Sequence, residues 1–342
     1  MKNRGATIAA AVILIIGAAA LGTFFVGKSF LKQDTAVDAG AFEDSQTDLK
    51  QETEKRNELQ KELTYQGKEY VYNNNLRTCL FLGVDTVGEV NLQEHPGEAG
   101  QADCILLFIM DPETKKTTLL EISRNTLVDV DIYDFSGRWL SEANAQIALQ
   151  YAYGDGKTKS SWLMKQTVSK LLSAVKIDAA LAMNIEGVAT ATDFIGGVTL
   201  TLPEDYTYID PALKKGETVT LKGELAEKYV RYRDVTQPGS NEERMTRQSQ
   251  FIQALAGQLK SGGGKNTAFY QSVLNVLEDY INTDLSAEDL KSLAEYDLEK
   301  TVRLPGKERT GERYDEFVVD EEALTGLIVE LFYQPADTPD GK

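Results

Sequence analysis

The sequence holds one histidine and two cysteines in 342 residues. That scarcity excludes a zinc site built on Cys and His ligands, and it limits disulfide cross-linking to a single bridge. Positive charge is also short, with 36 Lys and Arg against 53 Asp and Glu and a formal net charge of -17. A general nucleic-acid binder needs a broad basic face to displace counterions from phosphates, so no nucleic-acid partner is expected. A Ser or Cys triad lacks its usual base: His95 lies in the polar loop EHPGEAG with no catalytic or metal-binding partner in sequence, and reads as a solvated loop residue. What is present is ordinary for a globular chain. The hydrophobic share is 42% and the charged share 26%, which excludes disorder throughout and allows one large domain or two small ones.

Residues 6 to 27 are 22 consecutive residues without a charge, a run that as a helix spans roughly 33 Å at about 1.5 Å per residue. It is read as a single transmembrane anchor, with residues 1 to 5 as a cytoplasmic tail. Lys2 and Arg4 precede it, Lys28 and Lys32 follow, and the acidic stretch beyond restores the positive-inside bias. The rest of the chain is therefore expected on the extracellular face of the cell membrane. A cleaved signal peptide is the competing reading, although its apolar core is usually about 7 to 15 residues. Residues 28 to 67 are acidic, poor in large apolar side chains, and read as an extracellular spacer with a short solvated helix over 47 to 63.

From residue 68 to 342 short apolar runs alternate with longer helical stretches, the pattern of an α/β domain. Strands are predicted at 77 to 84, 103 to 110, 116 to 122, 127 to 132, 178 to 184, 197 to 202, 300 to 304 and 315 to 319. Helices are predicted at 141 to 153, 160 to 175, 185 to 194, 223 to 231, 242 to 260, 266 to 281, 286 to 295 and 320 to 332. The SGGGK segment at 261 to 265 has no preceding strand and no GK[ST] pattern, so it reads as a turn and not as a phosphate loop. Cys79 and Cys104 fall in apolar strands, where buried free thiols are the default; a bridge needs Cα atoms within about 7 Å.

Carboxylates and arginines gather at the predicted element ends. Asp85 follows the run LFLGV and Asp103 opens the run CILLFIM, and in open α/β sheets such edges line the ligand crevice. Two carboxylates about 4 Å apart repel by roughly 4 kcal/mol at an effective dielectric of 20, and a divalent cation reverses that. Oxygen ligands alone favour Mg2+. Arg124 ends LLEIS; Arg231 and Arg233 share a face if the segment leaving the helix is extended; Arg244, Arg247 and Gln248 stand at i, i+3 and i+4. Five arginines could thus converge on phosphate, for which their planar, permanently charged forks are suited. Each residue taken alone is equally what a turn, a cap or a solvated surface uses.

Together these segments resemble the LytR-CpsA-Psr proteins of bacterial cell envelopes. The resemblance runs from about 76 to 256 and rests on LFLGVD, AGQADCILL, LLEISRNT, NAQIALQYAYGDG, IGGVTLTLPEDY, and LKGELAEKYVRYRD followed by NEERMTRQSQFIQAL. It implies a three-layer αβα domain with a central mixed sheet, membrane-anchored and facing outward. It further implies a glycopolymer transferase that buries a polyprenyl chain and moves a teichoic acid or capsular polysaccharide from polyprenyl pyrophosphate to peptidoglycan by magnesium-assisted phosphoryl transfer. By the same resemblance Asp85 and Asp103 are the metal-side aspartates, and Arg124, Arg231, Arg233, Arg244 and Gln248 bind pyrophosphate, with Arg124 and Asp103 catalytic. Three positions depart from the family pattern: Gln101 replaces an arginine, and Asn125 and Asn241 replace aspartates. A general base for the acceptor hydroxyl is not identifiable in the sequence. The rival expectation is a non-catalytic binder of polyprenyl phosphate or wall polymer with a regulatory or scaffolding role.

Overall fold

The run RTCLFLGV keeps no polar face for water, and a strand of that kind must lie inside a sheet covered on both sides. The computed structural model describes residues 62–234, 236–237, 240–261, 266–311 and 314–336. Its strands begin with β1 (Glu62–Tyr65), β2 (Lys68–Tyr72), β3 (Arg77–Val84), β4 (Ala102–Asp111), β5 (Lys116–Ile122), β6 (Leu127–Tyr133) and β7 (Trp139–Gln146). Helices α1 (Leu149–Ala152) and α2 (Thr158–Leu171), strand β8 (Ala179–Asn184), helix α3 (Ile185–Ile195), and strands β9 (Val198–Thr201) and β10 (Thr218–Leu221) follow. Then come α4 (Gly223–Arg231), α5 (Ser240–Ser261), α6 (Thr267–Leu277), β11 (Ile281–Thr283), α7 (Ala287–Leu293) and β12 (Asp297–Arg303). The chain closes with β13 (Gly306–Thr310), β14 (Asp315–Val319), α8 (Glu321–Phe332) and β15 (Tyr333–Pro335).

The central sheet is mixed, in the order β11-β8-β3-β4-β5-β12. β3 is parallel to β8 and antiparallel to β4, β4 is antiparallel to β5, and β12 is parallel to β5. The carboxyl ends of β3 and β5 and the amino end of β4 therefore meet at one edge. Alternate side chains go to opposite faces with the period of two that a pleated strand imposes. Phe81, Leu106 and Leu181 pack against residues of α3 to α7, whereas Leu80, Leu107 and Leu120 pack against α1, α2 and α8. Helices thus cover both faces of the sheet. Asn184 caps α3 through Gly187 N at 3.1 Å, fixing the turn by which β8 leaves the edge.

Smaller sheets flank this core. β15 pairs with β2, which pairs with β1, so the last described strand is stitched to the first. The hairpin β13–β14 lies beside the central edge, joined to it by the bridge Thr126↔Phe317.

Most predicted elements form, with three corrections. Residues 141 to 153 do not make one helix: their first part is β7, paired with β6, and only Leu149–Ala152 are helical. Helix-favouring Ala and Glu do not decide the matter, because most of β7 is exposed and a helix there would have no apolar stripe to bury. The helix predicted over 266 to 281 ends at Leu277, and residues 281 to 283 become an edge strand of the central sheet. The spacer predicted through residue 67 stops earlier, since Glu62–Tyr65 pair with β2. The anchor at 6 to 27, the spacer up to residue 61 with most of its predicted helix, and four residues of the SGGGK turn lie outside the described residues. Among the described residues no helix is long and apolar enough to cross a membrane.

Both cysteines are buried and free. In the β3–β4 register Cys79 faces Phe108 while Cys104 faces Gly83, a four-residue offset that separates them by about 13 Å, beyond the reach of a bridge. His95 is half-buried, its Nδ1 lying 3.3 Å from the Phe135 carbonyl oxygen and its ring edge-on to Phe135.

Candidate active site

A register shift after Gly83 carries the chain out of β3 and turns Asp85 back toward the start of β4. There Asp85 Oδ1 accepts the Gln101 amide at 2.5 Å, and the Asp85 amide donates to the Gln101 carbonyl at 3.1 Å. Gly100 is needed for this closure: its φ is +76°, and a Cβ at that position would come within 2.7 Å of Asp85 Oδ1. The Asp85 carboxyl is pushed up to about 6, first by burial and next by the charge of Asp103.

Asp103 is the second residue of β4 and its side chain is wholly buried. Such burial demands a partner, and two arginines supply it. Arg124, two residues past β5, places Nη1 on Asp103 Oδ1 and also donates from Nη2 to the side-chain carbonyl of Gln101. Arg244, one turn into α5 and fully buried, lies 3.6 Å from Asp103 Oδ2 through Nη1. Burial, above all, lowers Arg244 to about 9; Asp103 opposes that while Arg124 and Arg233 reinforce it, so the guanidinium stays charged at neutral pH.

The charges are paired, yet directed hydrogen bonds are missing. Both Asp103 oxygens, Arg124 Nε, and Arg244 Nε and Nη1 are buried without a hydrogen-bond partner. Leaving such groups unmet costs on the order of 1 to 3 kcal/mol each, and a cluster of them in one place marks a site made for something else. The donor nitrogens suit phosphate oxygens. The Asp103 carboxylate, ion-paired but without a directed hydrogen bond, and Asp85, raised by burial and by the charge of Asp103, are the oxygen donors that could hold a divalent cation.

The other candidates divide. Gln248 lines a small cavity with Asp103, Arg124 and Asn241, and its Nε2 donates to the Val230 carbonyl at 3.2 Å. Arg233 leaves α4 on an extended segment, donating from Nε to Ser240 Oγ at 3.0 Å and from Nη2 to Asp315 Oδ2 at 2.8 Å. Arg231 ends α4 with Nη1 on Glu227 Oε1 at 2.7 Å and a side chain 30% exposed. Arg247 does not join the arginines around Asp103. Its guanidinium is buried against the Tyr206 ring and donates to the carbonyls of Tyr229 and Tyr232, satisfying the open end of α4. A separate cavity of about 330 Å³ at the carboxyl ends of β3 and β8 is lined by Thr86, Asn91, Glu98 and Asn184, and by none of the candidate arginines.

Two carboxylates went unseen in the sequence. Asp315 and Glu308 come from the β13–β14 hairpin; the strand over 315 to 319 is among those predicted, but nothing in KERT or DEFVV says that it would dock beside the site. Their neighbours are positions where the chain departs from the family pattern. Asn241 accepts Arg244 Nη2 at 2.8 Å and donates to Glu308 Oε1 at 2.9 Å, and Asn125 accepts Gln146 Nε2 at 3.0 Å.

The sequence profile of the LytR_cpsA_psr family matches residues 39–331. The chain belongs to the LytR-CpsA-Psr family. That match reaches beyond 256 and takes in β11 to β14, elements of the central sheet and of the hairpin at the site. Among LytR-CpsA-Psr relatives, the polyisoprenyl-teichoic acid–peptidoglycan teichoic acid transferase TagU of Bacillus licheniformis is 24% identical over 266 residues, covering 76% of this chain and 78% of that one. The crystal structure of TagU from B. subtilis superposes with a TM-score of 0.55 at 22% identity, over 75% of this chain and 96% of that one. TagT bound to LI-WTA gives 0.56 at 20% identity, over 75% and 90%. At these identities the superpositions establish the mixed α/β fold with its central mixed sheet.

Proposed function

We propose that this chain moves an anionic glycopolymer from a polyprenyl-pyrophosphate carrier to peptidoglycan, working at the outer face of the cell membrane and anchored by residues 6 to 27. The observation that carries this reading is the buried Asp103–Arg124–Arg244 cluster with its unmet donors. The name of the TagU relative describes the same class of transfer.

In the reaction an acceptor hydroxyl oxygen attacks the phosphorus next to the polymer's first sugar. The bond from that phosphorus to the bridging oxygen breaks, and polyprenyl phosphate leaves with the electron pair. Such a step asks the protein for positioning and charge neutralisation, with no protein nucleophile. Arg124 and Arg244 have the nitrogens free to hold the diphosphate oxygens, and Arg233 can turn to them from Asp315. Asp103 keeps Arg124 and Arg244 oriented while no ligand is bound. Asp85 and Asp103 would hold magnesium, which when bound supplies further neutralisation of the diphosphate. Among the described residues no group of three or more His, Cys, Asp or Glu gathers to hold a metal, so diphosphate oxygens and water would complete its shell.

Turnover of a polyprenyl-pyrophosphate-linked disaccharide by the purified full chain, with a soluble peptidoglycan oligomer as acceptor, is the direct test. Tight donor binding without release of polyprenyl phosphate would favour a regulatory or scaffolding binder instead. Topology is tested separately: protease added to intact protoplasts should remove the domain, and protection would overturn its outward orientation.

A further inference from the structure

The transfer proposed above produces a proton, and the acceptor hydroxyl needs a carboxylate or other base to take it. The carboxylates around the arginine cluster differ in what holds them. Asp103 is held between Arg124 and Arg244, Asp315 by Arg233, Glu227 by Arg231, and Glu121 by Arg303. A guanidinium at contact distance occupies the carboxylate oxygens that an acceptor hydroxyl would have to reach. Asp85 is the proposed metal-side carboxylate, and its Oδ1 already accepts the Gln101 amide.

Glu308 differs from all of these. Its Oε1 accepts from Asn241 Nδ2 at 2.9 Å, and that amide is neutral. Asn241 in turn is buried and accepts Arg244 Nη2 through Oδ1, so one amide separates Glu308 from the guanidinium that faces Asp103. The hairpin holds the residue in place. Glu308 faces Phe317 across β13–β14, and the Phe317 amide donates to the Asn125 carbonyl at 2.8 Å, one residue from Arg124. Glu308 is half-buried, close to the charge cluster yet open to solvent, which gives an accepted proton a way out.

We propose that Glu308 is the catalytic base of the transfer. Its carboxylate takes the proton from the acceptor hydroxyl as the new oxygen–phosphorus bond forms and the bridging oxygen departs on polyprenyl phosphate. The proton then passes from Glu308 to water, and the carboxylate is restored. Asn241 supports the role as a neutral bridge: it fixes Glu308 beside Arg244 without the charge repulsion a second carboxylate would bring.

This assignment rests on the transfer reading, and the test separates the two. Glu308→Gln keeps the side chain's length and the carbonyl that accepts from Asn241, so the hairpin should stay docked. With a polyprenyl-pyrophosphate-linked disaccharide as donor and a soluble peptidoglycan oligomer as acceptor, kcat should fall about 100-fold or more, the lower range of general-base effects. Donor affinity and melting temperature should stay near wild type, and Glu308→Asp should recover part of kcat. A Glu308→Gln variant that turns over within about 3-fold of wild type would overturn the assignment. So would a loss of kcat matched by an equal loss of donor affinity, since Glu308 would then be a binding or structural group. A wild-type chain that binds donor and never releases polyprenyl phosphate would sink the transfer reading itself, and this inference with it.

Discussion

Arg233 and Asp315 lie 82 positions apart in the chain and meet at 2.8 Å, so the guanidinium expected to hold diphosphate is held by a carboxylate of the β13–β14 hairpin when no ligand is bound. An incoming anion competes with Asp315 for the same nitrogens. Asp315→Asn removes the competitor's charge while keeping its size, and should tighten binding of inorganic pyrophosphate by about 2- to 10-fold at low salt. Calorimetric titration checks this, and weaker binding would show that Asp315 assists Arg233.

Arg124 and Arg244 offer charge-assisted hydrogen bonds worth about 1.5 to 3 kcal/mol each, so either Ala variant should lose roughly 10- to 150-fold in donor affinity or rate. Lys in place of Arg should recover part of it, keeping the charge and losing the paired fork. Arg244→Ala carries a second cost, because a buried Asp103 loses a partner; breaking such a pair costs on the order of 3 to 5 kcal/mol of stability. Affinity and urea midpoints measured on both variants separate the two effects. Four near-wild-type affinities across the Ala and Lys pairs would end the pocket hypothesis.

Asp85 gives a pH signature with a definite sign. Its carboxyl stands at about 6 in the folded chain against an ordinary 3.8. Between those values the folded state binds more protons than the unfolded one, so the residue's contribution to stability falls as pH rises through that window and the penalty is complete above about 6. Asp85→Asn should therefore melt higher than wild type at pH 8, with a difference that shrinks as the pH is lowered toward 4. Magnesium-dependent donor binding should show the opposite preference, fading in wild type as Asp85 protonates below about 6 and absent from the variant. Equal melting curves at pH 8 would count against the buried, ionised Asp85.

Arg247 should behave as a structural group. Its removal leaves the Tyr229 and Tyr232 carbonyls without their donor, a loss on the order of 3 kcal/mol. Denaturation of Arg247→Ala should show that loss directly, with pyrophosphate affinity changed less than in Arg124→Ala. An unchanged urea midpoint together with a large loss of affinity would move Arg247 into the binding site.

The edge that brings Asp85, Asp103 and Arg124 together was legible in the sequence because each residue abuts an apolar run, and such runs can only be central strands. Arg244 and Arg247 show the limit of spacing arguments. At i and i+3 they lie about 60° apart on a helix, near enough to share a face on paper and far enough apart to serve different neighbours. Asp315 and Glu308 were illegible for another reason: KERT is largely solvent-facing and carries no apolar signal, and what fixes the hairpin's place is the hydrogen bond of the Phe317 amide to the Asn125 carbonyl across nearly two hundred residues. Residues 141 to 146 misled because local propensity favours helix, whereas pairing with β6 satisfies their backbone without needing an apolar face.

The small sheet β1–β2–β15 also sets how the domain bears load. Glu62 lies at the open end of the β1–β2 ladder, opposite Val71, and the turn at its other end is tight. A pull from the amino-terminal side peels this hairpin one hydrogen-bonded pair at a time from Glu62 inward. β2 stays clamped on its other side by β15, through Tyr72↔Tyr333 and its neighbours. Tension passed from the proposed amino-terminal anchor would act first on this peripheral ribbon, away from the six strands whose edge aligns Asp85, Asp103 and Arg124.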